Sequence, residues 1–146
     1  MTLTLRWGLA LLAFAEFVIG GWNLFAPEHF YANFPGVNLS PPFAEHYARD
    51  FGGATIGIGI VLAAAALFPR TVLVIPALLA ICAFTLPHAW FHLAHLHGAS
   101  TEILVFTIVA VVGEAALSLA LLALAIVRWR SGMAQRDGAE RPRSVR

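Results

Sequence analysis

The chain has 146 residues, room for one domain, and is 60% hydrophobic with only 12% charged residues and a mean hydropathy of +0.79. Soluble domains are about half apolar and about a quarter charged, so this composition excludes an ordinary water-soluble class and points to the lipid bilayer. Net charge is +1, every basic residue is arginine, and the single cysteine, Cys82, excludes an intramolecular disulfide and a cysteine-based zinc or iron–sulfur centre. No nucleic-acid partner is expected.

Residues 3–25 are apolar except for Arg6, Glu16 and Asn23, long enough at 1.5 Å per residue to cross a bilayer core of about 30 Å. The competing reading is a cleaved signal peptide, with Ala13-Phe14-Ala15 as its site. Hydrophobicity continues through Phe25, which favours a span with Trp22 and Phe25 at the interface. Residues 26–42 hold four prolines and read as a loop. Within it, Phe30, Tyr31 and Phe34 fall on one side of a short helical turn suited to the interface, and Ser40-Pro41 reads as an N-cap and first helical residue.

The second span is expected over residues 42–68. Its first turns carry Glu45, His46, Arg49 and Asp50, and Gly53-x-x-x-Gly57 reads as the face that packs closely on a neighbour. After the turn Phe68-Pro69-Arg70, Thr71 caps a third span over residues 72–97. Pro87 inside it removes the hydrogen bond to the Ala83 carbonyl and should bend the helix. Gly98 then serves as a C-terminal cap, and Ser100 or Thr101 starts a fourth span over residues 101–128, with Glu114 in its middle. The fold class is therefore all-α, a four-helix transmembrane bundle of up-down topology over residues 1–130. Residues 131–146 read as a disordered, basic cytoplasmic tail.

Four of the six histidines lie in Pro87–Gly98, and His88, His92 and His95 share one helical face at spacing i, i+4, i+7. Alternating spans bring the end of the first, the start of the second, the end of the third and the start of the fourth to one side. That side collects all six histidines, while eight of the nine arginines fall on the other and only Arg49 joins the histidines. The positive-inside rule then puts both termini in the cytoplasm, in a plasma-membrane protein whose histidine end faces outward. Counting along each span puts Glu16, Asp50 and His88 in one layer about 13 Å deep, with His46, Arg49 and His92 above it and Glu114 deeper, at about 18–20 Å.

Ionisable groups inside a bilayer are costly, which makes this cluster the candidate site. Imidazole and carboxylate suit a divalent transition metal, with His88, His92, His95, Asp50 and Glu16 as ligands, although no Glu-x-x-His or His-Glu-x-x-His motif is present. A b-type haem held by His46 and His92, with Arg49 on a propionate, is a second reading. A proton relay through Glu16, Glu114, Asp50 and His88 is a third. The bland alternative is a structural or accessory subunit whose histidines only join helices. Beside the bilayer, the partners expected of so small a bundle are further copies of itself or a larger membrane complex.

The string Gly20-Gly21-Trp22-Asn23-Leu24-Phe25-Ala26-Pro27-Glu28 after Arg6 resembles the first helix of DoxX-like small four-helix membrane proteins. Glu45-His46-x-x-Arg49-Asp50-x-Gly52-Gly53 and Pro87-His88-x-x-x-His92-x-x-His95 resemble strings in uncharacterised actinobacterial members of that group. The resemblance covers the architecture of residues 6–127. It implies a four-helix membrane fold and, because some DoxX-like proteins accompany quinone-linked redox enzymes, a tilt toward redox function.

Overall fold

The computed structural model describes residues 3–39 and 42–140. Helix α1 (Leu3–Phe25) is followed by the short α2 (Pro27–Asn33), a 3-10 turn (Val37–Leu39), α3 (Glu45–Leu67) and α4 (Thr71–Ala94). The last rod comprises α5 (Thr101–Phe106), a π-helical segment (Thr107–Val112) and α6 (Gly113–Glu140). Four of these stretches, Leu3–Phe25, Glu45–Leu67, Thr71–Ala94 and Thr101–Gly132, are long and apolar enough to cross a membrane. Large apolar side chains such as Trp7, Phe14, Val72, Trp90 and Val109 stand exposed along them, as lipid-facing residues do. The protein is an integral membrane protein built as an all-α four-helix bundle.

The tight core lies at the arginine end. Leu9 and Leu12 of α1, Leu62 of α3, Leu78 and Ile81 of α4 and Leu121 of α6 are buried in one apolar cluster there. Leu5, Pro69, Thr71 and Arg128 line one crevice, so the start of α1, the α3–α4 turn and α6 meet at this end. At the opposite end Phe34 packs on Phe106 (ring centroids 5.3 Å apart) and Arg49 donates to the Leu24 carbonyl. The alternating topology and the separation of arginine and histidine ends are as the sequence implies.

Helices α1 and α3 make the closest crossing. A Cβ on Gly52 would stand 2.6 Å from the Gly20 carbonyl oxygen and 2.6 Å from the Leu24 nitrogen, and one on Gly20 would stand 2.9 Å from the Gly52 carbonyl. Gly59 meets Phe17 and Glu16 in the same way. Gly53 and Gly57, the expected packing face, are exposed and a Cβ on either meets nothing within 4 Å. The buried stripe of α3 is instead Gly52, Thr55, Gly59 and Leu62, with spacings of three and four residues. Both stripes are glycine-rich, and only the partner helix selects between them.

Several boundaries also move. Helix α3 starts at Glu45 with Ala44 as its cap, because Pro42-Phe43-Ala44 carries no helical structure, and Ser40-Pro41 lies outside the described residues. Arg70, not Thr71, is the cap of α4, while Ser100 caps α5 by accepting from the Ile103 N–H at 3.3 Å. Helix α4 ends at Ala94, short of His97, and Gly98 takes its positive φ of 80° in the turn beyond. Helix α6 runs to Glu140, past Ser131 where the polar tail was expected to begin, through helix formers such as Met133, Ala134 and Gln135. The rest of that tail, residues 141–146, lies outside the described residues.

The aromatic residues of the long connection turn inward. Phe30 is buried, stacks on Phe34 at 4.6 Å and meets Trp22 edge-on at 5.3 Å, whereas Tyr31 leaves this group for Phe43. Trp22 Nε1 donates to His29 Nδ1 at 3.0 Å. The three rings are therefore a packed cluster over the histidine end of the bundle, not a row of separate interfacial anchors.

Candidate functional site

The histidine half of the bundle opens into a cavity of about 530 Å³. Helix α1 packs along α3, and among the described residues it makes no close backbone approach to α5 or the π segment. The cavity fills that gap. Phe34 closes it at the histidine end, Phe51 and Thr55 of α3 and Phe84 and His88 of α4 form its inner wall, and Phe106, Val109 and Ala110 flank it from the last span. Leu11, Phe14, Val18 and Val109, all exposed on the lipid-facing surface, form its mouth, so it opens sideways toward the bilayer.

Its two carboxyl groups come from α1 and α6. Leu5, Leu9, Leu12, Glu16, Gly20 and Asn23 form the buried stripe of α1, and that stripe carries Glu16 inward. Glu16 is 2% exposed. Its carboxyl group lies near that of Glu114 on α6, and both residues line the cavity. Glu16 Oε2 is fully buried and has no hydrogen-bond partner among the described residues.

Other buried hydroxyls are satisfied within their own helices. Thr85 donates to the Ile81 carbonyl at 2.9 Å, Thr107 to Ile103 at 2.9 Å and Ser118 to Glu114 at 2.8 Å, and Thr55 donates to Phe51. This is the usual solution for a hydroxyl in a membrane helix. It leaves Glu16 Oε2 as the acceptor that needs something from the cavity.

The π segment shapes the last wall. The Gly113 N–H donates to the Ile108 carbonyl, five residues back, so this turn holds one residue more than an α-helical turn. Val109, Ala110, Val111, Gly113 and Glu114 all face the cavity as a result. Glu114, just past this turn, lines the same cavity as Glu16.

The histidines behave as aromatic packing. His88 stacks on Phe84 at 5.1 Å and on Phe51 at 6.5 Å, and meets His92 edge-on at 4.5 Å. His95 lies just past the end of α4, stacks on Phe91 at 4.1 Å and places Nδ1 2.7 Å from the Phe91 carbonyl. Beyond the last helical residue, Ala94, it lines a small crevice with Phe91 and His92, away from the cavity that His88 lines. Asp50 pairs with His46 at 3.2 Å on the exposed side of α3, with 64% and 83% of their side chains open, and so does not join the layer of Glu16 and His88. Among the described residues no three His, Cys, Asp or Glu side chains converge as metal ligands. The proposed set His88, His92, His95, Asp50 and Glu16 is thus split over three places: the cavity wall, the end of α4 and the outside of α3.

Of the residues in the haem reading, His46 is held by Asp50 and touches Tyr47, and His92 touches His88 and Phe91. Arg49 is committed elsewhere. It binds Glu45 through Nε at 2.8 Å and Nη2 at 2.7 Å, and its Nη1 donates to the Leu24 carbonyl. Sequence reasoning singled out Glu16, His88 and Glu114 but missed their grouping around a cavity and the aromatic walls. The available signal was one carboxylate deep in each of the first and last spans.

Comparison with protein-family models, with curated proteins and with solved structures finds no match for this chain.

Proposed function

We propose that this integral membrane protein binds a small hydrophobic molecule in the cavity between α1 and the last span, with Glu16 and Glu114 as its polar contacts. The observation that carries the reading is the unpartnered, buried Glu16 Oε2 at the wall of an apolar space of about 530 Å³. Ligand sites are mostly apolar cavities of about 300–1,000 Å³ with a few convergent polar groups, and they occur between the helices of bundles. A mouth lined by lipid-facing residues suits a molecule that arrives by partitioning into the bilayer.

The metal and haem readings draw no support from the separated histidines, and a redox role rests on the resemblance alone. Membership of the DoxX-like group is part of the same proposal. What supports it is the four-span architecture together with the strings around Trp22, Arg49 and His88.

The test is photolabelling of the purified protein with a neutral lipophilic aryl diazirine, mapped by mass spectrometry. Labels on Phe51, Thr55 and Phe84, at the inner wall, are expected, with their loss in Ala110→Trp, which fills the cavity. Labelling confined to lipid-facing positions such as Phe14 and Val109 overturns the reading.

A further inference from the structure

We infer that the molecule suited to this cavity is a lipophilic amine, bound as its ammonium form on the Glu16–Glu114 pair with its apolar body against the phenylalanine walls. The inference rests on the proposed ligand-binding reading and names the chemical class. Charge is the first argument. Both acidic groups on the cavity wall are carboxyls, no arginine lines it, and the nearest one in the histidine half, Arg49, is taken by Glu45 and the Leu24 carbonyl. Two carboxyl groups facing a low-dielectric space strongly favour a cation over a neutral or anionic guest.

Hydrogen bonding is the second argument, and it is independent of the first. Glu16 is 2% exposed and its Oε2 accepts from nothing. A buried polar atom of that kind is costly unless a donor reaches it. An ammonium group is made only of donors. It supplies one N–H to Glu16 Oε2 and another to Glu114, and the proton that makes it an ammonium passes to the neutral amine from a carboxylic acid of the pair, which is left as a carboxylate.

The walls fit the remainder of such a molecule. Phe51, Phe84 and Phe106 line the same cavity as the carboxyl pair, and phenylalanine faces attract a cation that has left water. Amines partition into bilayers as the neutral base, reach the lateral mouth, and take up a proton at the carboxyl pair. An alcohol or a ketone offers one donor or none and gains nothing from the second carboxyl. A carboxylic acid is repelled.

Three probes with one body and different heads test this: 1-adamantylamine, 1-adamantanol and 1-adamantanecarboxylate, titrated into the protein in a non-ionic detergent and followed by calorimetry. The amine should bind at least tenfold more tightly than the alcohol, and the carboxylate should not bind. Glu16→Gln and Glu114→Gln should each weaken the amine at least tenfold while leaving the alcohol within about twofold. Retention of helical circular dichroism by both variants shows that they fold. Equal affinity for amine and alcohol, or amine binding unchanged in both variants, overturns the amine assignment. If no probe binds while the diazirine still labels Phe51, Thr55 and Phe84, the amine inference fails and the cavity reading stands. If inner-wall labelling is absent as well, both fail.

Discussion

The carbonyl oxygen of Gly20 lies 2.6 Å from the point where a Cβ on Gly52 would stand. Two backbones approach this closely only where neither residue has a side chain, so the α1–α3 contact depends on both glycines. Overpacking of this kind costs about 1–3 kcal/mol. Gly52→Ala should therefore lower the melting temperature in detergent by several degrees. Gly57→Leu, whose added atoms meet open space, should leave it within about 1 °C. Equal effects of the two substitutions would place the close contact elsewhere.

The carboxyl pair should be a stability cost that the ligand-free protein carries. Gln in place of Glu16 keeps the volume, donates through its amide to Glu114, and removes one ionisable group from a buried site. Glu16→Gln should raise the melting temperature by about 2–5 °C, the equivalent of roughly 1 kcal/mol. A fall of similar size, measured without added ligand, would mean that the carboxyl itself makes a contact the amide does not replace.

Arg49 ties the end of α1 to the start of α3. Its donation to the Leu24 carbonyl occupies one of the acceptors that the last turn of a helix leaves open. Arg49→Ala should destabilise by about 1–2 kcal/mol through loss of that charge-assisted bond. Glu45→Ala removes only the half-exposed i, i+4 partner and should cost about 0.5 kcal/mol or less. A thermal melt of the two variants and the double variant separates the terms.

His46 should prove dispensable. It stands on the exposed side of α3, paired with Asp50 and touching the exposed Tyr47. Exposed pairs contribute about 0–1 kcal/mol. His46→Ala should melt within about 1 °C of the parent and show the same visible absorption spectrum. Loss of a Soret band in that variant would restore the haem reading.

Arg6, Arg70, Arg128 and Arg130 belong to the end opposite the histidines, and the positive-inside rule then expects that end in the cytoplasm. A reporter joined after Arg146 should be active only in a form that works in the cytoplasm. Activity of an exported-type reporter at that position would invert the topology and turn the histidine end inward.

Composition and the run lengths of apolar residues determine that this chain crosses a membrane four times, because a backbone in hydrocarbon must satisfy its own hydrogen bonds and a helix of about 20 apolar residues does so. The alternation of spans likewise determines that Glu16, His88 and the histidines near residue 95 share one end. Register around each helix axis is a different matter. Gly53 and Gly57 repeat at i, i+4 as well as any packing stripe does, yet the helix turns Gly52 and Gly59 inward, and that choice belongs to α1, which supplies Gly20 and Phe17 to fit them. His88 lines the cavity while His92 and His95 line a crevice at the end of α4, and α3 turns Asp50 to His46, so among the described residues no three such side chains converge as metal ligands. The last wall of the cavity is built on the π turn before Gly113, a local widening that hydropathy does not encode. Membrane insertion is written in the chain because it sums over many residues. The site rests on the rotation of a few helices by a fraction of a turn, and only their packing against one another sets that.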